Sequence, residues 1–208
     1  ADIDDDLQPR SGPLEGWKAI GAAAVRKVET DVKNVIGVLE GEGPLADETI
    51  VIGAHYDHVG LGGEGSLAPG VKAVHNGADD NASGTAALIE LARRYAARPE
   101  KPSRRLVFIA FTAEERGLIG SAKYVKNPLF PIDNTIAMFN MDMVGRLQDN
   151  KLTVFGTGTS PRWPDLVETT GKRQQFDATQ TPDGFGPSDQ SSFYDATLPL
   201  LPFFTGNR

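Results

Sequence analysis

The chain has 208 residues, which is enough for about one compact domain with a small extension. Its 21 Lys and Arg residues and 28 Asp and Glu residues give a formal charge of −7. Nucleic acid is therefore not expected as a partner, because phosphate binding requires a face rich in Lys and Arg. The sequence contains no cysteine, so any metal site must consist of His and carboxylate ligands.

The sequence shows neither a membrane span nor a targeting segment. No apolar run approaches the ~20 residues that cross a bilayer. The first ten residues, ADIDDDLQPR, lack the basic and apolar regions of a signal peptide. We therefore expect no membrane partner, and we expect a secreted or periplasmic location after removal of a preceding signal.

Residues 1–33 predict an N-terminal extension that is partly a solvated tail and partly a first strand. The stretch 22–41, AAAVRKVETDVKNVIGVLEG, carries apolar β-branched residues on both sides of Asp31 and is compatible with two strands. The main domain is expected over residues 34–208.

Strand and helix patterns then alternate along the chain. Short apolar runs rich in β-branched residues predict buried strands, and amphipathic runs predict helices. Prolines in the last strand favour an edge or terminal place. The alternation predicts an α/β three-layer sandwich, with a largely parallel mixed β-sheet and helices on both faces. The predicted strands are 48–54, 104–111, 134–141, 151–156 and 198–204, and the predicted helices are 83–99, 115–125 and 160–171.

Apolar spacing predicts a buried face for two of these helices, and capping residues predict the boundaries of the third. Apolar spacing gives the first helix a face of Leu88, Leu91, Ala92 and Tyr95, and the second a face of Leu118, Ala122 and Val125. The third helix is expected to be capped by Ser160 and to end at Gly171.

Acidic and His side chains follow three of the predicted strands. Ligands of such sheets bind beyond the carboxyl ends of the strands, so a common edge would bring these side chains together. They are His55, Asp57, His58, Asp79, Asp80, Glu114, Glu115 and Asp142.

The glycine-rich loop GLGGEG, residues 60–65, matches a dinucleotide-binding pattern only in its letters. That motif must open a helix whose N-terminus meets a pyrophosphate, whereas SLAPGVKAVHNG follows here without a helical period. We interpret it as a flexible loop at the rim of a site.

His55 and Asp57 are compatible with an ordinary strand end or with a metal site. A metal-bound His needs a carboxylate or carbonyl to fix its other ring nitrogen, and Asp57 is well placed for that supporting role. His58 and His75 lack such a local partner, so we interpret both as loop residues with a minor chance of metal contact.

The remaining acids have competing explanations. Either Asp79 or Asp80 could cap the helix near Ser83, but one cap suffices and a second acid is better explained as a ligand. Asp142 follows a mostly apolar run, where an acid is costly unless it is paired or metal-bound. Thr112 and Glu115 fit a capping box, which explains one of the two adjacent glutamates but not both.

Taken together, the motifs resemble the co-catalytic zinc aminopeptidases, a family that also contains glutamate carboxypeptidase-like and glutaminyl cyclase-like members. The resemblance covers roughly residues 34–206, in the order and spacing of that family. It rests on GAHYDHVG, HNGADDNASG, FTAEERGLIGSAKYV, NMDMVGR and GPSDQSSFY followed by FFTG.

The resemblance implies a site with two zinc ions and a role for each residue. His55, Asp79 and Asp142 would hold one zinc, and Asp79 would bridge to a second zinc that also binds Glu115. Glu114 would act as the general base and Asp57 would support His55. A cis peptide bond is expected between Asp79 and Asp80. The roles fall on His55, Asp57, Asp79, Glu114, Glu115 and Asp142.

The sequence departs from the family pattern at its end. In the family, a His just beyond the FTG segment completes the second metal position, near a Tyr that stabilises the developing oxyanion. This chain ends at Arg208, and Gln190 stands where relatives often carry a His that is not a ligand. We interpret the chain as truncated, and we expect the second position to bind zinc more weakly than the first.

The resemblance therefore predicts a metal-dependent aminopeptidase that removes N-terminal residues from peptides with a zinc-activated water. Carboxypeptidase or glutaminyl cyclase activity on the same scaffold is a second possibility, because a scaffold does not fix its reaction. An inactive metal-binding or interaction module is a third. The intact acidic set argues against long decay of the site.

Overall fold

The computed structural model describes residues 12–13, 15–25, 29–63, 65–68 and 70–206. The chain divides into two compact units, Ala1–Asp31 and Val32–Arg208. The described residues of the first unit form no helix or strand. Of the two strands predicted over residues 22–41, the second is present, and part of the first lies outside the described residues. The predicted domain boundary at residue 34 stays a prediction.

The second unit contains a seven-stranded sheet in the order β1-β3-β2-β4-β7-β5-β6. Four neighbouring pairs are parallel, namely β2 with β3, β2 with β4, β4 with β7 and β5 with β6, whereas β1 with β3 and β5 with β7 are antiparallel. The largely parallel mixed sheet is therefore confirmed. The strands are β1 (Val35–Leu39), β2 (Thr49–His55), β3 (Arg105–Phe111), β4 (Thr135–Met141), β5 (Lys151–Val154), β6 (Asp177–Gln180) and β7 (Leu200–Phe204).

Helices cover both faces of this sheet. They are α1 (Gly84–Ala96), α2 (Ile119–Lys126), α3 (Trp163–Gln174) and α4 (Gln190–Asp195). None of the helices in the described residues is long and apolar enough to cross a membrane.

Alternation along the central strands divides the core between the two faces. In β3, Ile109 and Phe111 pack with Tyr124 of α2 and Phe193 of α4. The intervening side chain of Phe108 belongs to a cluster on the other face. That cluster includes Leu88 of α1, and the predicted partners Leu91, Ala92 and Tyr95 pack against it. The three-layer prediction is confirmed by a sheet whose inner strands are apolar on both sides.

Three predicted details are wrong for physical reasons. Helix α2 begins only at Ile119, and its buried residues are Gly120, Ser121 and Tyr124. Of the predicted face, Val125 packs against the core, whereas Ala122 is exposed. Helix α3 starts after Arg162 and runs through Gly171, which is buried in the helix.

The last strand, β7, lies inside the sheet between β4 and β5 instead of at an edge. Its Pro202 is tolerated because the carbonyl accepts a hydrogen bond from Phe155 N–H while no donor is required of the ring nitrogen. β7 pairs with β5 over only two positions.

Candidate metal centre

The strands β2, β3 and β4 are parallel neighbours and end at one edge of the sheet. β2 ends at His55, which is paired in register with Phe111 at the end of β3. Asp142 directly follows β4, and the two glutamates follow β3 after a short turn. The common edge predicted from the sequence is thus formed by the parallel register.

His55 lies at the centre of a group of carboxylates. Its side chain is 1% exposed, and its Nε2 atom lies 3.2 Å from Asp80 Oδ1 and 3.5 Å from Asp142 Oδ1. Glu114 Oε2 lies 4.0 Å from the same nitrogen. His55, Glu114 and Asp142 offer donor atoms that all lie within 4.8 Å of one another. These three residues predicted from the sequence therefore come together.

The carboxylates around His55 favour a positive charge at this place. Burial disfavours the charged imidazole, but hydrogen bonds with Asp142 and Asp80 and the charges of Asp142 and Glu114 outweigh it and raise the pKa of His55 to about 11. The ring therefore holds a proton at neutral pH in this environment. A bound metal ion would replace that proton, since metal ligation requires the neutral ring.

Asp57 connects the end of β2 with the glutamate turn. Its backbone carbonyl lies 3.1 Å from His55 Nδ1 and accepts a hydrogen bond from it, whereas its carboxylate lies 3.8 Å away. That carboxylate accepts hydrogen bonds from the backbone N–H groups of Glu114 and Glu115, at 3.1 and 3.3 Å. Asp57 is thus placed to orient His55 through its backbone carbonyl and the two glutamates through its carboxylate.

Glu114 and Glu115 lie in a turn before α2 and not in its first helical turn. The helix is preceded by Leu118 at a φ of 60°, and no side chain caps it. The alternative of a capping box between Thr112 and Glu115 is therefore excluded. Both glutamates lie partly buried at the sheet edge, held from behind by Asp57.

A second group of possible ligands lies beside the first. His58, Asp80 and Glu115 offer donor atoms within 4.8 Å of one another, and His58 Nδ1 lies 2.7 Å from Glu115 Oε1. His58 was interpreted from the sequence as a loop residue, because its carboxylate partners are distant in the chain. In the sequence, its position three residues after His55 is the feature that indicates a place near the site.

Asp80, and not Asp79, faces these groups. The Asp79 carboxylate accepts a hydrogen bond from Gly145 N–H at 2.7 Å and lies 3.1 Å from Arg146 Nε. The Asp79 carboxylate is therefore engaged by Gly145 and by the charge of Arg146, although its Oδ2 is buried without a hydrogen bond among the described residues, while Asp80 lies against His55. The ligand role predicted for Asp79 is corrected to a proposal for Asp80. The cis peptide bond also falls one position later than predicted, between Asp80 and Asn81.

Two further acids near His55 hold protons more tightly than usual. Burial, with contributions from Asp189, Asp142 and Glu115, raises the pKa of Glu114 to about 8 although His55 opposes the shift. Burial also raises the pKa of Asp189 to about 7, and the nearby Ser121 hydroxyl only partly offsets it. Asp189 was not predicted from the sequence as a residue of this site.

A cleft of about 410 Å³ opens over the two groups. Its lining includes carboxylates, among them Glu114 and Asp142, together with apolar residues. The apolar residues are Met143, Phe155, Pro187, Pro202, Phe203 and Phe204. An extended molecule with one charged end and one apolar end would fit such a cleft.

The donor set fits zinc on two observations. One His nitrogen and two or more carboxylate oxygens converge in each group, and these are ligand types that zinc accepts. Asp142 Oδ1 is buried and, apart from the 3.5 Å contact with His55 Nε2, has no partner among the described residues, as expected for an oxygen that serves a cation.

Fold and site together define an α/β protein with a His and carboxylate metal centre at the carboxyl edge of its sheet. The model of Peptidase family M28 matches residues 34–208, and the chain belongs to this family.

Relatives with named activities support the same placement. Aminopeptidase YwaD of Bacillus subtilis is 29% identical over 179 residues, which cover 84% of this chain and 36% of that protein. A probable glutamate carboxypeptidase of Arabidopsis thaliana is 32% identical over 191 residues, covering 86% of this chain and 24% of the relative. The chain thus spans between about a quarter and a third of these relatives.

The fold also matches solved structures. The zinc aminopeptidase BSAP from Bacillus subtilis superposes with a TM-score of 0.66 at 30% identity, over 83% of this chain and 40% of that one. An aminopeptidase from Aneurinibacillus sp. strain AM-1 gives a TM-score of 0.64 at 33% identity, over 83% and 39%. The resemblance identified from the motifs is thereby confirmed.

Proposed function

We propose that this protein is a zinc-dependent aminopeptidase that hydrolyses the N-terminal peptide bond of peptides. The observation that carries the proposal is the pair of adjacent ligand groups at one sheet edge, His55 with Asp142 and Glu114, and Glu115 with Asp80. Their carboxylates line a cleft that also has apolar residues in its lining. The family membership and the names of the relatives support the same activity.

In this proposal the side chains divide into ligands and a base. His55, Asp142 and Asp80 would hold one zinc ion, and Asp80 and Glu115 would hold a second. The placement of Asp80 between the groups supports a bridging role, since its Oδ1 lies 3.2 Å from His55 and it belongs to the group of Glu115. Zinc ions held there would polarise the scissile carbonyl and lower the pKa of water.

Glu114 is proposed as the general base because it is buried beside the ligands and carries a raised proton affinity. Its pKa of about 8 in the metal-free environment would fall when cations are added, which favours the carboxylate form that a general base requires. Such a group can take a proton from water and return it to the leaving amine. Its neighbour Glu115 faces the other group, so the two glutamates have different tasks.

The cleft also supports a preference at the substrate's N-terminus. Acidic side chains favour a free ammonium group, and the apolar wall with Phe155 and Phe203 favours an apolar first side chain. A leucyl substrate should therefore be hydrolysed faster than a glutamyl one, whose carboxylate would face like charges. A secreted or periplasmic location is part of the proposal and rests on the sequence expectation alone.

The proposal is tested by hydrolysis of a leucyl chromogenic amide with added zinc. Glu114→Gln should lower kcat by about 10²–10⁴-fold, as loss of a general base does, while the zinc content stays unchanged. Glu100→Gln, at an exposed position outside the site, is the matched control and should be fully active. Equal rates for the Glu114 variant and wild type would contradict the base assignment.

The same assay separates the second candidate function. The Arabidopsis thaliana relative is named a probable glutamate carboxypeptidase, so an N-acetylated peptide ending in glutamate is the comparison substrate. Cleavage of that peptide but not of the leucyl amide would replace the aminopeptidase proposal with carboxypeptidase activity. Cleavage of neither, with zinc bound, would favour a binding module.

A further inference from the structure

We propose that His58 is a direct ligand of the second metal position, together with Asp80 and Glu115. The inference rests on the proposed metal-dependent function and extends it by a ligand from the loop after β2. Sequence reasoning left His58 without a role, and the structure gives it two carboxylate neighbours from separate parts of the chain.

The geometry of the three donors suits a single ion. Zinc–nitrogen and zinc–oxygen bonds are about 2.0–2.2 Å, so two ligands of one ion lie at most about 4.4 Å apart. His58, Asp80 and Glu115 offer atoms within 4.8 Å of one another, a bound slightly wider than this limit, and His58 Nδ1 lies 2.7 Å from Glu115 Oε1. The side chains of His58 and Glu115 are 26% and 18% exposed, so the position remains open to a further ligand from solvent or substrate.

The position of the His58 ring is set by the backbone beside it. A Cβ atom on Gly77 would lie 2.8 Å from Cγ and from Cδ2 of His58, so any other residue there would displace the ring. Gly77 has a φ of 56° and directly precedes the segment Ala78–Ser83 that carries Asp80. The chain therefore has a glycine at the one place where a side chain would separate His58 from Asp80.

Each of the other two ligands is held independently of His58. Glu115 is anchored through its backbone N–H to the Asp57 carboxylate at 3.3 Å. Asp80 contacts His55 at 3.2 Å. The three side chains are thus held by three separate contacts. A chance hydrogen bond between His58 and Glu115 would not require those contacts.

His75, which also lies between β2 and the segment Ala78–Ser83, provides a matched comparison. Its Nε2 lies 3.4 Å from Ser66 Oγ, and it belongs to neither of the two groups of possible ligands found among the described residues. His58 and His75 are both loop histidines, but only His58 has carboxylates around it. A variant at each position therefore separates ligation from general effects on the loop.

The competing role for His58 is to orient Glu115 through the 2.7 Å hydrogen bond without touching metal. Loss of such an orienting partner lowers metal affinity by about 10–100-fold. Loss of a ligand should lower it further and also remove one imidazole from the metal. Metal titration and a count of bound imidazoles together distinguish the two roles.

The experiment titrates the 208-residue protein and its His58→Ala and His75→Ala variants with Co²⁺. We expect wild type and His75→Ala to bind two ions, and His58→Ala to bind the second more than about 100-fold more weakly. In the proton NMR spectrum, wild type with two Co²⁺ should show two paramagnetically shifted, exchangeable imidazole N–H signals, from His55 and His58. The His58 variant should keep one, and circular dichroism checks that it is folded.

Each other result has a definite meaning. Two ions bound with equal affinity by wild type and His58→Ala would overturn the inference. A single imidazole signal in wild type carrying two ions would reduce His58 to an orienting residue, and this count needs no variant. Only one ion in wild type would overturn the inference but leave the His55 position intact, whereas no bound ion would contradict the proposed function itself.

Discussion

The two halves of the metal centre are built differently. The His55 half is centred on strand ends: His55 is 1% exposed and closes the parallel pairing of β2 with β3, and Asp142 directly follows β4. The His58 half is centred on the loop after β2, and the side chains of His58 and Glu115 are partly exposed. Positions at the ends of buried strands are fixed by the sheet, whereas loop positions depend on local contacts. The first half should therefore bind metal more tightly than the second.

In the proposal above, His58 supplies the loop half with a third ligand beside Asp80 and Glu115. The order of affinities thus depends on how well a loop ligand performs beside strand-end ligands. Substitutions at residues that belong to one half or to both can therefore test this contrast.

Asp80 should have the largest effect because it contacts both halves. Asp80→Asn removes a charged oxygen that lies 3.2 Å from His55 and also belongs to the group of His58 and Glu115. Zinc affinity should therefore fall at both positions, by more than about 100-fold. Asp79→Asn is the matched control, since Asp79 bonds Gly145 and Arg146 instead. Dialysis against a chelator buffer measures the zinc retained. Equal losses in both variants would return the ligand role to Asp79.

Asp57 should have an intermediate effect that also reaches both halves. Its carboxylate accepts the N–H groups of Glu114 and Glu115, and the Asn variant would turn an amide NH₂ toward one of them. Zinc affinity should fall by about 10–100-fold, as expected for a residue that orients ligands. Competition with a zinc indicator measures the change.

Asp47→Asn is the control for this variant, because Asp47 lies exposed and away from the cleft. An unchanged zinc affinity in Asp57→Asn would mean that the strand ends alone position the ligands. A loss confined to the His58 half would show that only the loop half depends on this anchor.

The strand-end half could be predicted from the sequence, and the reason is the parallel sheet. Apolar runs locate β2, β3 and β4 within one residue, and residues after such runs must lie at one edge. His55, Glu114 and Asp142 therefore come together as expected. Two short elements, β6 and α4, are too polar to show an apolar period, and they were not predicted.

The loop half could not be predicted from the residues in the same way. No period determines which of two adjacent aspartates faces the site, and the choice between Asp79 and Asp80 depends on Gly145 and Arg146, more than 60 positions away in the chain. His58 likewise acquires its partners only through the fold. The position of β7 inside the sheet also depends on a contact that is distant in the chain. Pro202 is accommodated there because its carbonyl accepts a hydrogen bond from Phe155 N–H.

The smallest effect on metal binding is expected at Asp189, which is buried near the His55 half. Its pKa is raised to about 7, chiefly by burial, so the folded protein holds this proton more tightly than the unfolded chain. The corresponding stabilisation is present below about pH 4 and is lost as the pH rises toward 7. Asn does not titrate, so Asp189→Asn should lack this loss.

Urea unfolding of the metal-free protein at pH 5 and pH 8 measures the difference. The urea midpoint of Asp189→Asn minus that of wild type should be larger at pH 8 than at pH 5. Added zinc should shrink the difference, because cations near His55 lower the pKa of a nearby acid. A pH-independent difference between the two proteins would show that Asp189 is ionised throughout, and that the strand-end half tolerates a buried charge without metal.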